Sequence, residues 1–147
     1  MMKRTLLLVI LIVGFVALFL STAIYAGDKV SDVIKMENAA YDKHEKSIVE
    51  FTHKKHIEDY KIGCGECHHD ANGKPLNDLK AGDNVSGCIE CHKIASKAPR
   101  EPKLSEKEKL QYHAEAIHRN CIDCHKKFKK ETGNKEVPTS CAKCHIK

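Results

Sequence analysis

Eight cysteines fall as four pairs, and a histidine follows every pair. The runs are Cys64-Gly-Glu-Cys67-His68, Cys88-Ile-Glu-Cys91-His92, Cys121-Ile-Asp-Cys124-His125 and Cys141-Ala-Lys-Cys144-His145. Thiols three residues apart share one face of a helical turn. They can add across the two vinyl groups of a porphyrin while the next imidazole reaches the iron from one side. C-x-x-C-H is the attachment motif for c-type haem. A zinc ribbon uses paired C-x-x-C but has no role for a histidine after each. A disulfide framework, the default for an exported cysteine-rich chain, does not demand this spacing. The motifs therefore point to four haem c groups, and to four irons.

Each iron has a second axial position. Methionine there raises the reduction potential. Beyond residue 26 the chain holds one methionine, Met36, against six histidines outside the motifs: His44, His53, His56, His69, His113 and His118. Six candidates for four places predict bis-histidine ligation throughout. Such irons are saturated, low-spin and low in potential, and their chemistry is outer-sphere electron transfer. A multihaem reductase would need one open iron, which the histidine surplus argues against.

The elements that must hold these residues are sparse. The chain has 147 residues, 5% aromatics and no Trp. A chain this short with few large apolar side chains buries little core and relies on staples. The first 26 residues differ from the rest. Lys3 and Arg4 precede an apolar run to Leu20 and then the small residues Ser21, Thr22, Ala23 and Ala26. This is the layout of a secretory signal cleaved after Ala26. The rival is an uncleaved anchor over 5–26, since about 20 apolar residues span a bilayer. Both place the domain of residues 27–147 outside the cytoplasm, in the periplasm, with membrane contact only if 5–26 is retained.

The gaps between motifs are rich in Lys, Gly, Asn, Asp and Pro and read mostly as loops. Asn72-Gly73, Gly82-Asp83 and Gly133-Asn134 are turn signals, and Pro99 and Pro102 interrupt the middle gap. Residues 31–36 and 47–51 suggest a small N-terminal two-stranded hairpin. Ser105-Glu-Lys-Glu108 is a capping box, and Leu110, Ala114 and Ile117 follow at helical spacing, predicting one helix over about 105–119. Thr52 can cap a shorter helix to about Tyr60. The expected fold is mostly irregular, with a few short helices and that hairpin wrapped around four haems.

From about Ser47 onward the chain resembles the class III c-type cytochromes, small periplasmic tetrahaem proteins of anaerobic bacteria. The resemblance lies in Phe51-Thr-His53-Lys-Lys-His56, in Cys67-His68-His69, in Tyr112-His113-Ala114 with a second histidine after it, and in the closing Cys144-His145-Ile-Lys. It implies His68 with His53 at the first haem and His92 with His69 at the second. It further implies His125 with His56 at the third and His145 with His118 at the fourth. The Tyr-His-Ala stretch runs two residues longer than the family's before its second histidine, leaving His113 as the rival to His118. His44 reads as a solvated surface residue, and His113 as packing against a haem.

The resemblance also implies an electron carrier rather than an enzyme, with a hydrogenase-like donor and a membrane cytochrome or reductase as acceptor. The alternative is a membrane-anchored tetrahaem conduit oxidising quinol. Such proteins place the first motif soon after the anchor, whereas residues 27–63 intervene here. A nucleic-acid partner has no groove-reading motif behind it. The chain's formal charge of +5 is also misleading, because eight ionised propionates outweigh four ferric cores. Lys126, Lys127, Lys129, Lys130, Lys135, Lys143 and Lys147 gather around the fourth motif against Glu131 and Glu136. They predict a basic docking face for an acidic redox partner.

Overall fold

The computed structural model describes residues 30–146. The expected signal or anchor over 1–26, and Lys147, lie outside the described residues. In chain order the elements are β1 (Ile34–Lys35), β2 (Glu50–Phe51), α1 (His53–Glu58), a 3-10 turn (Cys64–Glu66), α2 (Cys88–Cys91), α3 (Glu106–Lys109), α4 (His113–Thr132) and α5 (Cys141–Cys144). The remainder is turn and loop. β1 and β2 pair antiparallel with Ile34 opposite Phe51, so the expected hairpin forms, with two paired residues in each strand. Gly73, Gly82 and Gly133 take positive φ, as the three turn signals require. Gly133 stands in the left-handed conformation at the end of α4, and its N–H bonds the Lys129 carbonyl at 2.9 Å.

No apolar side chain among the described residues is buried, and His113, 7% exposed, is the one buried polar residue. The elements are joined by local hydrogen bonds and by the packing of α2 on α4. Among the described residues no helix is long and apolar enough to cross a membrane.

The helix expected over 105–119 is two helices. Ser105 does open α3 with its capping box: its Oγ accepts from Glu108 N–H at 3.3 Å, and its own N–H donates to the Glu108 carboxylate at 2.8 Å. The helix then stops at Leu110, because residues 92–96 intercept the backbone. Ile94 N–H bonds Gln111 carbonyl at 3.0 Å, His113 N–H bonds Ile94 carbonyl at 2.9 Å, and Ala114 N–H turns to Ser96 carbonyl at 3.4 Å. Tyr112 is extended, and α4 begins after it. The 126–140 gap, read as loop, is helical through Thr132. The third motif lies inside α4, and its lysines have high helix propensity.

Candidate metal centres

Each attachment motif is a single helical turn. His68 N–H bonds Cys64 carbonyl at 2.8 Å, His92 bonds Cys88 at 2.9 Å, and His145 bonds Cys141 at 2.8 Å. That closure sets the two thiols on one face and the following imidazole beside them. Gly63, Gly87 and Ser140 enter the first, second and fourth turns in extended conformation. The third turn is a stretch of α4.

All eight cysteines are unpaired. Burial raises the thiol pKa of Cys67, Cys88 and Cys144, and that of Cys121 to about 11. Cys67, Cys144, Cys88 and Cys124 add to the rise at Cys121. Cys121 nonetheless retains solvent access. The Asn120 amide donates to the Cys67 carbonyl at 3.5 Å, joining α4 to the first motif.

The motif histidines each face one other histidine. Ring centres lie 6.2 Å apart for His53 and His68, 6.3 Å for His56 and His125, 6.1 Å for His69 and His92, and 6.2 Å for His118 and His145. A metal held axially by two imidazoles, about 2 Å from each nitrogen, separates the ring centres by about 6.3 Å. All four pairs have room for one iron each, so the residues fit haem. His53 and His56 project from the single turn of α1 with the Phe51 ring 5.7 and 4.7 Å away. His118 and His125 both belong to α4.

Five of the eight Nδ1 atoms are held by backbone carbonyls. His56 donates to Thr52 carbonyl at 2.8 Å, His69 to Asp70 at 2.8 Å, His125 to Pro138 at 2.8 Å and His145 to Ser47 at 2.7 Å. His92 donates to Leu110 carbonyl, freed by the break between α3 and α4. An Nδ1–H engaged this way leaves Nε2 as the free donor for a metal. Nδ1 of His53 is buried without a hydrogen bond of normal geometry, and a looser contact with the Ser31 backbone partly offsets the lowering of its pKa. Burial lowers the pKa of His53, His68 and His118, each then lowered further by a neighbouring imidazole; Glu115 opposes the shift at His118. A neutral imidazole is the form that ligates.

His44 and His113 belong to none of the four pairs. The Tyr41 hydroxyl bonds His113 Nδ1 at 3.0 Å, and the Tyr41 ring stacks on His44 at 5.1 Å. His44 is therefore half-buried, not the solvated residue expected. Burial lowers the His113 pKa, and nearby His92 adds to this. Sequence reasoning missed Tyr41 and the five carbonyls that receive Nδ1–H. A carbonyl carries no side-chain signal, and Tyr41 is adjacent to no motif.

The lysines cluster as their sequence positions imply. Lys126, Lys127 and Lys130 are exposed on the last turns of α4, with Lys129 half-buried. Lys143 donates from Nζ to the Lys135 carbonyl at 2.9 Å, tying α5 to that end.

The class III cytochrome c family matches residues 29–145. Cytochrome c3 of Maridesulfovibrio salexigens is 34% identical over 107 residues, 71% of this chain and 84% of that protein. The chain belongs to the class III cytochrome c family and is a multihaem electron carrier that binds haem c.

Proposed function

We propose that the chain carries low-potential electrons in the periplasm on four haem c groups. The first is held by Cys64 and Cys67 with His68 and His53, and the second by Cys88 and Cys91 with His92 and His69. The third is held by Cys121 and Cys124 with His125 and His56, and the fourth by Cys141 and Cys144 with His145 and His118. The observation that carries this reading is the set of four imidazole pairs at 6.1 to 6.3 Å. Residues 1–26 export the domain of residues 27–147, as a cleaved signal or an anchor.

When bound, haem c supplies a one-electron iron couple at each centre. Two imidazoles per iron exclude exogenous ligands, so the chain passes electrons rather than transforming substrate. The carbonyls behind His56, His69, His92, His125 and His145 fix ring orientation, which limits rearrangement on electron transfer. The basic end around Lys126, Lys127 and Lys130 steers an acidic partner toward the fourth centre. The family resemblance supports a hydrogenase-like donor and a membrane cytochrome or reductase as acceptor.

The test is intact mass together with carbon monoxide binding. The mature protein should exceed its peptide mass by four haems after acid-acetone extraction, and the reduced native protein should bind no carbon monoxide. Stoichiometric binding would reveal an open iron and sink the saturated-carrier reading. Reversing Lys126, Lys127, Lys129 and Lys130 to Glu should slow reduction by a hydrogenase, most at low salt. Equal rates at low ionic strength would move the docking face elsewhere.

A further inference from the structure

Two long-range hydrogen bonds leave one short segment near the start of the described chain. The Tyr41 hydroxyl bonds His113 Nδ1 at 3.0 Å, 72 residues away, and the Ser47 carbonyl accepts from His145 Nδ1–H at 2.7 Å, 98 residues away. Both lie in the loop of residues 36–49 that joins β1 to β2. The sheet holds the base of this loop: Met36 N–H bonds Val49 carbonyl at 2.9 Å, one register step beyond Lys35 and Glu50. Asn38 folds its first half. Asn38 Oδ1 accepts from Ala40 N–H at 2.9 Å, and the Asn38 carbonyl accepts from Tyr41 N–H at 3.1 Å. That Asx turn presents the Tyr41 ring. Residues 42–46 make no backbone hydrogen bond among the described residues, and the His44 ring stacks on Tyr41.

At the receiving end both anchors bear on one pair of rings. His113 is buried and is the first residue of α4. His118 stands five residues further along the same helix, about 7.5 Å up its axis. The His145 ring lies 6.2 Å from it, with the two planes at 79°. The loop thus reaches one ring through a carbonyl and the other through the helix that carries it. The carbonyls behind the other pairs belong to Thr52, Asp70, Leu110 and Pro138, all outside this loop.

A carbonyl on Nδ1–H fixes the rotation of an imidazole about its metal bond. It does so only as firmly as its own backbone is held. Ser47 is restrained by the sheet on one side and, across residues 42–46, by Tyr41 on the other. Without the Tyr41 anchor that stretch regains the conformational freedom of a loop tied at one end. We propose that Tyr41 is a positioning residue for the fourth haem: by pinning the β1–β2 loop to the start of α4, it holds the Ser47 carbonyl behind His145 and sets the plane of that ring against His118. This rests on the His118–His145 pairing proposed above. Tyr41 acts from outside the coordination shell, on the centre that the lysines present to a partner.

The test is proton NMR of the ferric holoprotein carrying Tyr41→Phe, which loses the hydroxyl and keeps the ring that stacks on His44. Haem methyl shifts report the orientation of the axial rings, and each haem is assigned by contacts to its own ligands. The methyl shifts of the fourth haem should move more than those of the other three, and the His145 Nδ1 proton should exchange with deuterium several-fold faster. The four potentials should stay nearly as in the parent, since both imidazoles still ligate. A lower Tm with the fourth-haem methyls and the His145 exchange unchanged would make Tyr41 a stabilising contact only and overturn the proposal. Methyl shifts that moved most at the second haem would overturn it as well. Axial contacts that place His118 and His145 on different haems would instead overturn the pairing on which it rests.

Discussion

The first and third attachment motifs perform one task in opposite settings. The first is a three-residue 3-10 turn between loops, whereas the third lies inside the 20-residue helix α4. The local geometry is the same, because one hydrogen-bonded turn suffices to align two thiols and an imidazole. What differs is reach. The first motif controls its own surroundings and, through His69, those of the second. α4 carries His118 seven residues before His125, and a rigid helix fixes the distance between them. Two of the four imidazole pairs depend on that one element. Stiffness is concentrated in α4 and economised elsewhere.

The largest effect that can break this contrast is a proline in α4. Arg119→Pro removes one helical N–H and sets a ring against the preceding turn between His118 and Cys121, costing about 3 kcal/mol or more. It should disturb the His118 and His125 pairs together, visible as loss of low-spin signal from two haems. Arg119→Ala removes only the exposed ion pairs to Glu106 at 3.2 Å and Asp123 at 3.9 Å. It should cost about 0.5 kcal/mol or less. In the 80–87 loop, Val85→Gly should stay within about 0.5 kcal/mol of the parent. A proline variant that kept four intact pairs would refute the shared-scaffold view of α4.

The next effect is confined to one iron. His118→Met should raise the potential of a single haem, since a thioether donates less charge than an imidazole. His113→Met should leave all four nearly unchanged, because His113 faces Tyr41. Potentials that moved with His113 instead would exchange the two histidines as ligand. Either variant sharpens the contrast by asking whether α4 ligates from its first residue or from its second turn.

How much of this was readable in the sequence follows the same division. The motifs, the six spare histidines and the capping box at Ser105 are local patterns, and side-chain identity alone reveals them. The hairpin was readable as well, since mixed runs flank a polar stretch. The break at 110–112 was not, because Leu110, Ala114 and Ile117 keep helical spacing through it. Only the bonds of residues 92–96 to Gln111, His113 and Ala114 override that spacing, and their partners lie 17 to 19 residues away in the chain. The carbonyls that receive Nδ1–H were unreadable for the same reason: any residue type supplies one.

A smaller effect concerns pH. Burial lowers the pKa of His113 below its unfolded value. The folded protein therefore resists a proton that the unfolded chain accepts. The stability this neutral histidine contributes is fully present above the unfolded pKa of about 6.5 and is lost as pH falls toward the folded pKa. Tm should fall below about pH 6.5, and His113→Gln should flatten that slope. An unchanged slope in the variant would assign the acid sensitivity to other groups. In the holoprotein the axial histidines are held by iron and do not contribute in this range. His113 thus probes the loop-to-helix junction, where α4 begins, without touching a ligand.

The smallest effect separates two glycines at the attachment turns. Gly65 lies inside the first motif, and a Cβ added there would stand 2.1 Å from Asn77 Oδ1, 3.0 Å from its Cγ and 3.2 Å from its backbone nitrogen. The Asn77 side chain can swing away, but its backbone nitrogen must shift by a few tenths of an ångström. Gly87 precedes the second motif with φ −67° and ψ 148°, a conformation any residue adopts. A Cβ there would meet only Glu90 Oε1 at 3.7 Å, an ordinary contact. Gly65→Ala should cost about 1 kcal/mol through overpacking. Gly87→Ala should stabilise by about 0.5 kcal/mol, because it restricts the unfolded chain without straining the fold. For a domain of this size about 1 kcal/mol moves Tm by roughly 4 °C, well within calorimetric reach. Adding Asn77→Ala to Gly65→Ala should recover part of the loss, since it removes the Oδ1 and Cγ contacts and leaves the backbone one. A Gly65→Ala protein as stable as the parent would mean that the loop carrying Asn77 yields freely. The first motif would then be held by its own turn alone, which would widen the contrast with α4.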